Sequence, residues 1–95
     1  MLNSKERATL RAMATKLPAI FHVGKGGVSP ELIKTIREAL EARELIKIDV
    51  LDNCELETKE AAEIVASRSG AQLVQTIGRK FVIYKKSKTK QNNYI

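Results

Sequence analysis

Apolar residues recur at helical spacing in three stretches of this chain and at alternate positions between them, and the changes of period divide it into helices and strands. Leu10, Met13, Ala14 and Leu17 share one helical face behind the candidate caps Asn3 and Ser4, and Pro18 closes the stretch. A first helix is predicted over about Ser4 to Lys16, with Lys5, Arg7, Arg11 and Lys16 toward solvent. Ala19 to Val23 carries no charge, the pattern of a short strand covered on both faces. It runs into Gly24-Lys25-Gly26-Gly27, after which Ser29, Pro30 and Glu31 read as the cap, first residue and acidic first turn of a second helix. Its stripe of Leu32, Ile33, Ile36, Ala39 and Leu40 carries the helix to about Arg43, leaving Lys34, Arg37, Glu38 and Glu41 for water.

Leu45 to Leu51 alternates at period two, with Ile46, Ile48 and Val50 on the inner face and Lys47 and Asp49 on the outer. A polar loop over Asp52 to Glu57 follows. Thr58 is the candidate cap of a third helix bearing Ala61, Ala62, Ile64 and Val65, which Gly70 ends in the left-handed conformation. Ala71 to Ile77 and Lys80 to Tyr84 then form a hairpin across Gly78-Arg79, a pair suited to a type II′ turn. The order α-β-α-β-α-β-β predicts a two-layer α/β sandwich with a mixed four-stranded sheet. One domain over 1–86 is expected, with a basic, mobile tail over 87–95, where Lys88 and Lys90 act only in solubility.

Composition narrows the function. With 95 residues the chain has room for one small core, and 43% hydrophobic with 29% charged is the balance of a soluble globule. The stretch Met1 to Arg7 lacks the apolar run of a secretory signal, so a cytoplasmic protein that does not engage membranes is expected. One cysteine, Cys54, and one histidine, His22, exclude an internal disulfide and a four-ligand Cys/His zinc site, and no metal or cofactor is expected. The net charge of +6 is unevenly spread. Up to Pro30 five basic residues face one acidic residue, Glu31 to Arg68 holds six basic and ten acidic, and from Ser69 onward there are six basic and none acidic. Cationic ends favour an anionic partner.

The glycine loop is the clearest candidate site. A strand that ends in glycines and opens a helix presents unpaired backbone N–H groups and the positive end of a dipole, which suits phosphate, and Lys25 adds a full charge. Walker and dinucleotide-binding patterns both fail: there is no GxxxxGK[ST] frame, and Ser29 stands where GxGxxG requires Gly or Ala. What remains is GxxG, which in KH modules clamps the backbone of single-stranded nucleic acid.

Several motifs around the loop agree in order with one family. Leu2-Asn3-Ser4-Lys5-Glu6-Arg7, Leu10-Arg11-Ala12, Leu17-Pro18-Ala19, Val23-Gly24-Lys25-Gly26-Gly27-Val28-Ser29, Ala39 to Lys47 and Gly78 to Lys85 resemble the CRM domain, named for chloroplast RNA splicing and ribosome maturation. The likeness is greatest to the free-standing bacterial, YhbY-like members, and it spans about Leu2 to Lys86. It implies a fold similar to the C-terminal domain of translation initiation factor 3. It also implies RNA binding through Gly24, Lys25, Gly26, Gly27 and nearby basic residues, in association with precursors of the large ribosomal subunit.

Arg79 and Lys80 at the hairpin, Lys85 beyond the last strand, Lys34 on the second helix, and Arg7 and Arg11 on the first extend the candidate RNA-binding set. His22 reads as a packed histidine and not a general base, Cys54 as an inert loop thiol, and Glu55, Glu57, Glu60 and Glu63 as a solvated helix face. The expected function is a non-enzymatic, monomeric RNA-binding protein of ribosome assembly that takes no small-molecule substrate. The alternative is a factor whose acidic middle docks a basic ribosomal protein.

Overall fold

A computed structural model describes residues 2–87. They form α1 (Ser4–Ala14), β1 (Ala19–Val23), α2 (Pro30–Arg43), β2 (Leu45–Val50), α3 (Thr58–Ser69), β3 (Gln72–Ile77) and β4 (Lys80–Tyr84), the order that the periodicity predicts. Local chemistry sets the boundaries. Asn3 Oδ1 accepts the Glu6 N–H at 2.8 Å while Glu6 Oε1 accepts the Asn3 N–H at 3.1 Å, a reciprocal cap for α1. Ser29 Oγ accepts the Leu32 N–H at 3.1 Å ahead of Pro30. Gly70, at φ 72°, ends α3 in the left-handed conformation. At the hairpin Gly78 has φ 58° and Arg79 does not have positive φ, which excludes a type I′ turn and agrees with type II′.

The sheet is mixed, with strand order β1-β2-β4-β3: β1 pairs parallel with β2, and β4 pairs antiparallel with both β2 and β3. On one face Ile46, Ile48 and Val50 of β2 and Phe81 and Ile83 of β4 meet Ile33, Ile36 and Leu40 of α2 and Ala61, Ala62 and Val65 of α3. These are the two expected layers. α1 adds cover on the reverse face, where Leu10 and Ala14 pack with Leu45, Val74, Val82 and Tyr84. The register breaks at two places, between Ala19 and Phe21 where β1 meets β2 and between Leu73 and Gln75 where β3 meets β4.

Four expectations change. α1 stops at Ala14, and Leu17 reaches the same apolar cluster from the chain beyond the helix, so its helical spacing is coincidental; Met13 is exposed. β1 is an edge strand, and α1 covers the reverse face over β2, β4 and β3 but not over β1, so the expected cover on both faces is absent and His22 is exposed, its Nδ1 3.5 Å from Asp49 Oδ2 on the neighbouring strand. The cap of α3 is Glu57, with Thr58 already helical, and β3 begins at Gln72, one residue after Ala71. Ser87 does not open a tail: it is buried, its N–H donates to Glu44 Oε2 at 2.6 Å and its hydroxyl to Glu41 Oε1 at 2.8 Å. The rest of the expected tail, including Lys88 and Lys90, lies outside the described residues.

Tyr84 carries a measurable consequence of the reverse-face packing. Burial first, and then the carboxylates of Glu44 and Glu6, raise its pKa above 10.0. The folded state therefore resists forming phenolate, while the unfolded chain loses the proton near the ordinary value. The resulting stability is complete below pH 10.0 and is lost as pH climbs through the raised folded value. Denaturant unfolding from pH 9 to 11.5 should show a decline that Tyr84→Phe flattens, and equal slopes in both proteins would remove Tyr84 as its cause.

Candidate nucleic-acid interface

The glycine loop leaves the C-terminal end of β1 and closes on itself, the Gly27 N–H donating to the Gly24 carbonyl at 2.9 Å. Its glycines have different reasons to be there. A Cβ on Gly24 would lie 3.3 Å from Leu51 Cδ1 and 3.5 Å from Asn53 Oδ1, so this glycine lets the loop seat against the segment after β2. Gly27 adopts φ 67°, where a side chain is strained. A Cβ on Gly26 would meet nothing within 4 Å. Gly26 is therefore dispensable for packing, and its bare surface matters only to something arriving from solvent.

The donors also sit in a different place from the expected one. Pro30 has no N–H, Leu32 donates to Ser29 Oγ, and the Ile33 N–H donates to the Ser29 carbonyl at 3.1 Å. The first turn of α2 is thus largely satisfied by its own cap. Among the described residues the N–H groups of Lys25, Gly26 and Val28 make no backbone hydrogen bond, and the Lys25 side chain is exposed beside them. An anion would be held by the loop itself, one turn ahead of the helix.

The β3–β4 hairpin tip lies at the same end of the sheet. The Leu51 N–H donates to the Val23 carbonyl at 2.9 Å, and Arg79 reaches across to the same segment: Nε donates to the Val50 carbonyl at 3.1 Å and Nη2 to the Leu51 carbonyl at 2.8 Å. Asp52 Oδ1 lies 3.1 Å from Nε. Arg79 therefore ties the hairpin to the platform that seats the loop, with much of its guanidinium already engaged. Lys80 opens β4 beside it and is exposed.

The other expected cations separate. Arg7 donates through Nη1 to the carbonyls of Leu73 and of Val74, the latter at 3.0 Å, fastening α1 to β3 at the opposite edge of the sheet from β1. Arg11 is exposed on α1, over the reverse face. Lys85 follows β4 at the end of the sheet away from the loop, its Nζ beside Gly70. Lys34 does stay close to the loop. It lines a cleft with Pro30, Ile33, Arg37, Glu38 and Arg68, in which Arg68 Nη1 approaches the Val28 carbonyl at 3.5 Å and Arg37 Nη2 donates to the Arg68 carbonyl at 2.8 Å. Arg37 and Arg68 are not among the candidate cations of the sequence. Arg37 shares a helix face with Lys34 at a spacing of three, which was a usable signal; Arg68 comes from another helix and had none.

Comparison with known proteins agrees with this architecture. Residues 2–85 match the profile of the CRS1 / YhbY (CRM) domain. "Probable RNA-binding protein YqeI" of Bacillus subtilis is 54% identical over 88 residues, covering 93% of this chain and 92% of the relative. A protein of Haemophilus influenzae named "RNA-binding protein" is 34% identical over 88 residues, covering 90% and 87% of the two chains. The solution structure of a hypothetical Staphylococcus aureus protein, proposed to bind RNA, superposes with a TM-score of 0.79 at 42% identity, covering 100% of this chain and 97% of that one.

Proposed function

The chain belongs to the CRS1/YhbY (CRM) domain family, and from that membership we propose that it is a non-enzymatic RNA-binding protein acting on ribosomal RNA or large-subunit precursors during ribosome assembly. The observation that supports this reading most is the Gly24–Gly27 turn, in which the N–H groups of Lys25, Gly26 and Val28 make no backbone hydrogen bond, Gly26 is bare and the Lys25 side chain is exposed. Such a surface takes the sugar-phosphate backbone and carries little sequence readout. Phe21, Phe81 and Tyr84 belong to the strands and their packing, which leaves no aromatic platform for base stacking among the described residues. No helix of the described residues is long and apolar enough to cross a membrane.

Affinity on this reading is driven by phosphate. If about five phosphates are neutralised, log K against log salt for single-stranded RNA should have a slope of about −3 to −4. Lys25→Ala should weaken binding several-fold and reduce the slope by about 0.7, one phosphate's share. A flat salt response would exclude the mechanism. Pull-down from cells with and without ribonuclease tests the partner: ribosomal proteins recovered after ribonuclease treatment would favour docking through the acidic middle instead. Crosslinking in cells and sequencing of the attached fragments should return large-subunit ribosomal RNA.

A further inference from the structure

A cleft lies beside the loop, and its charge is unbalanced. Lys34, Arg37 and Arg68 face a single acidic residue, Glu38, and none of the three cations forms an ion pair among the described residues. The arginines are nonetheless oriented. Arg37 is held by the Arg68 carbonyl at the end of α3, and Arg68 leans toward the carbonyl of Val28, the residue that follows the GxxG turn. Each guanidinium has five N–H donors, and these contacts use one apiece. Arranging three cations side by side is electrostatically unfavourable unless an anion joins them, and a planar fork matches two phosphate oxygens.

We propose that this cleft is a second RNA subsite, which receives the phosphodiester backbone as it leaves the GxxG loop and carries it along α2 toward the C-terminal end of α3. The subsite rests on the loop being the primary RNA clamp. Lys34, Arg37 and Arg68 hold the phosphates, and exposed Pro30 supplies an apolar rim for a ribose or base. The protein then binds a longer stretch than the about four nucleotides that a GxxG clamp covers.

The test is a length series of oligouridine from four to twelve nucleotides, bound to the full chain and to three variants. Arg37→Ala/Arg68→Ala should reduce affinity for the longest RNA by at least 10-fold, lower its salt slope by about 1.4, and leave the four-nucleotide RNA unchanged. Because Arg37 also caps α3, Lys34→Ala, which removes no hydrogen bond of the described structure, should reproduce the length-dependent loss at smaller size. Glu38→Gln should change the long-RNA affinity in the opposite direction, raising it two- to five-fold. Affinity that rises with length to the same extent in the parent and in all three variants overturns the subsite but not the loop. Losses in the cleft variants together with unchanged binding by Gly26→Asp/Gly27→Asp overturn both, since the cleft would then not continue a track that starts at the loop.

Discussion

Replacing Gly26 and Gly27 together by aspartate should reduce RNA binding by at least 100-fold while the protein still unfolds cooperatively. The two sites contribute differently. At Gly26 there is open space, so the side chain costs the fold almost nothing and acts only on the ligand. At Gly27 the backbone φ of 67° disfavours any side chain, for about 1 kcal/mol. That is worth a fall of about 4 to 8 °C in Tm for a domain of this size. Against this, two carboxylates would stand where phosphate must sit, beside the free N–H groups of Lys25, Gly26 and Val28. The dipole of α2 returns little stability to the new aspartates, because Ser29 already caps the helix and Glu31 already occupies its first turn. Filter binding or fluorescence anisotropy, read with a thermal melt, checks the expectation. Unchanged affinity in a protein of near-normal Tm would reduce the loop to a turn.

The largest effect on stability is expected at Glu44. This residue follows α2, is buried, and has φ 65°, the one non-glycine with positive φ among the described residues. Its carbonyl accepts the Lys85 N–H at 2.9 Å and its carboxylate accepts the Ser87 N–H at 2.6 Å, so the strained backbone is held in place by the strand exit that it receives. Glu44→Ala keeps the strain, removes a charge-assisted hydrogen bond and strands a buried N–H, for about 2 to 4 kcal/mol. Glu44→Gly loses the same bond but relieves the backbone, and should be the more stable of the two by about 1 kcal/mol. Alanine usually outranks glycine near a helix, so the inverted order is diagnostic. Denaturant unfolding in which the alanine variant is the more stable would remove the strain argument.

Features written in neighbouring residues were legible without coordinates. Ser29-Pro30 starting α2, Gly70 ending α3, and Gly78-Arg79 closing the hairpin each depend on a side chain or φ within a few positions, and the structure has each where the sequence predicts it. What escaped depends on partners far along the chain. The acceptors of Arg7 are on β3, 66 and 67 positions away, and those of Arg79 are 29 and 28 positions away. Nothing in their local sequence separates an arginine that fastens two elements from one left for a ligand. The same limit explains β1: an uncharged pentapeptide reads alike at the centre of a sheet and at its border, and only the order β1-β2-β4-β3 tells them apart.

That border position has a cost that the two register breaks offset. Ala19-Ile20-Phe21-His22-Val23 is short, uncharged and rich in β-formers, and on an unprotected rim it would be a template for a second chain to extend the sheet. The irregularity between Ala19 and Phe21 interrupts the regular spacing of hydrogen-bonding groups that such an addition needs, and the break between Leu73 and Gln75 does the same on the opposite rim. The central pair β2–β4 keeps unbroken register, so the irregularities fall on the two strands that have a free side. A sheet that ends irregularly on both sides resists being threaded into a filament wherever its copies meet at high local density.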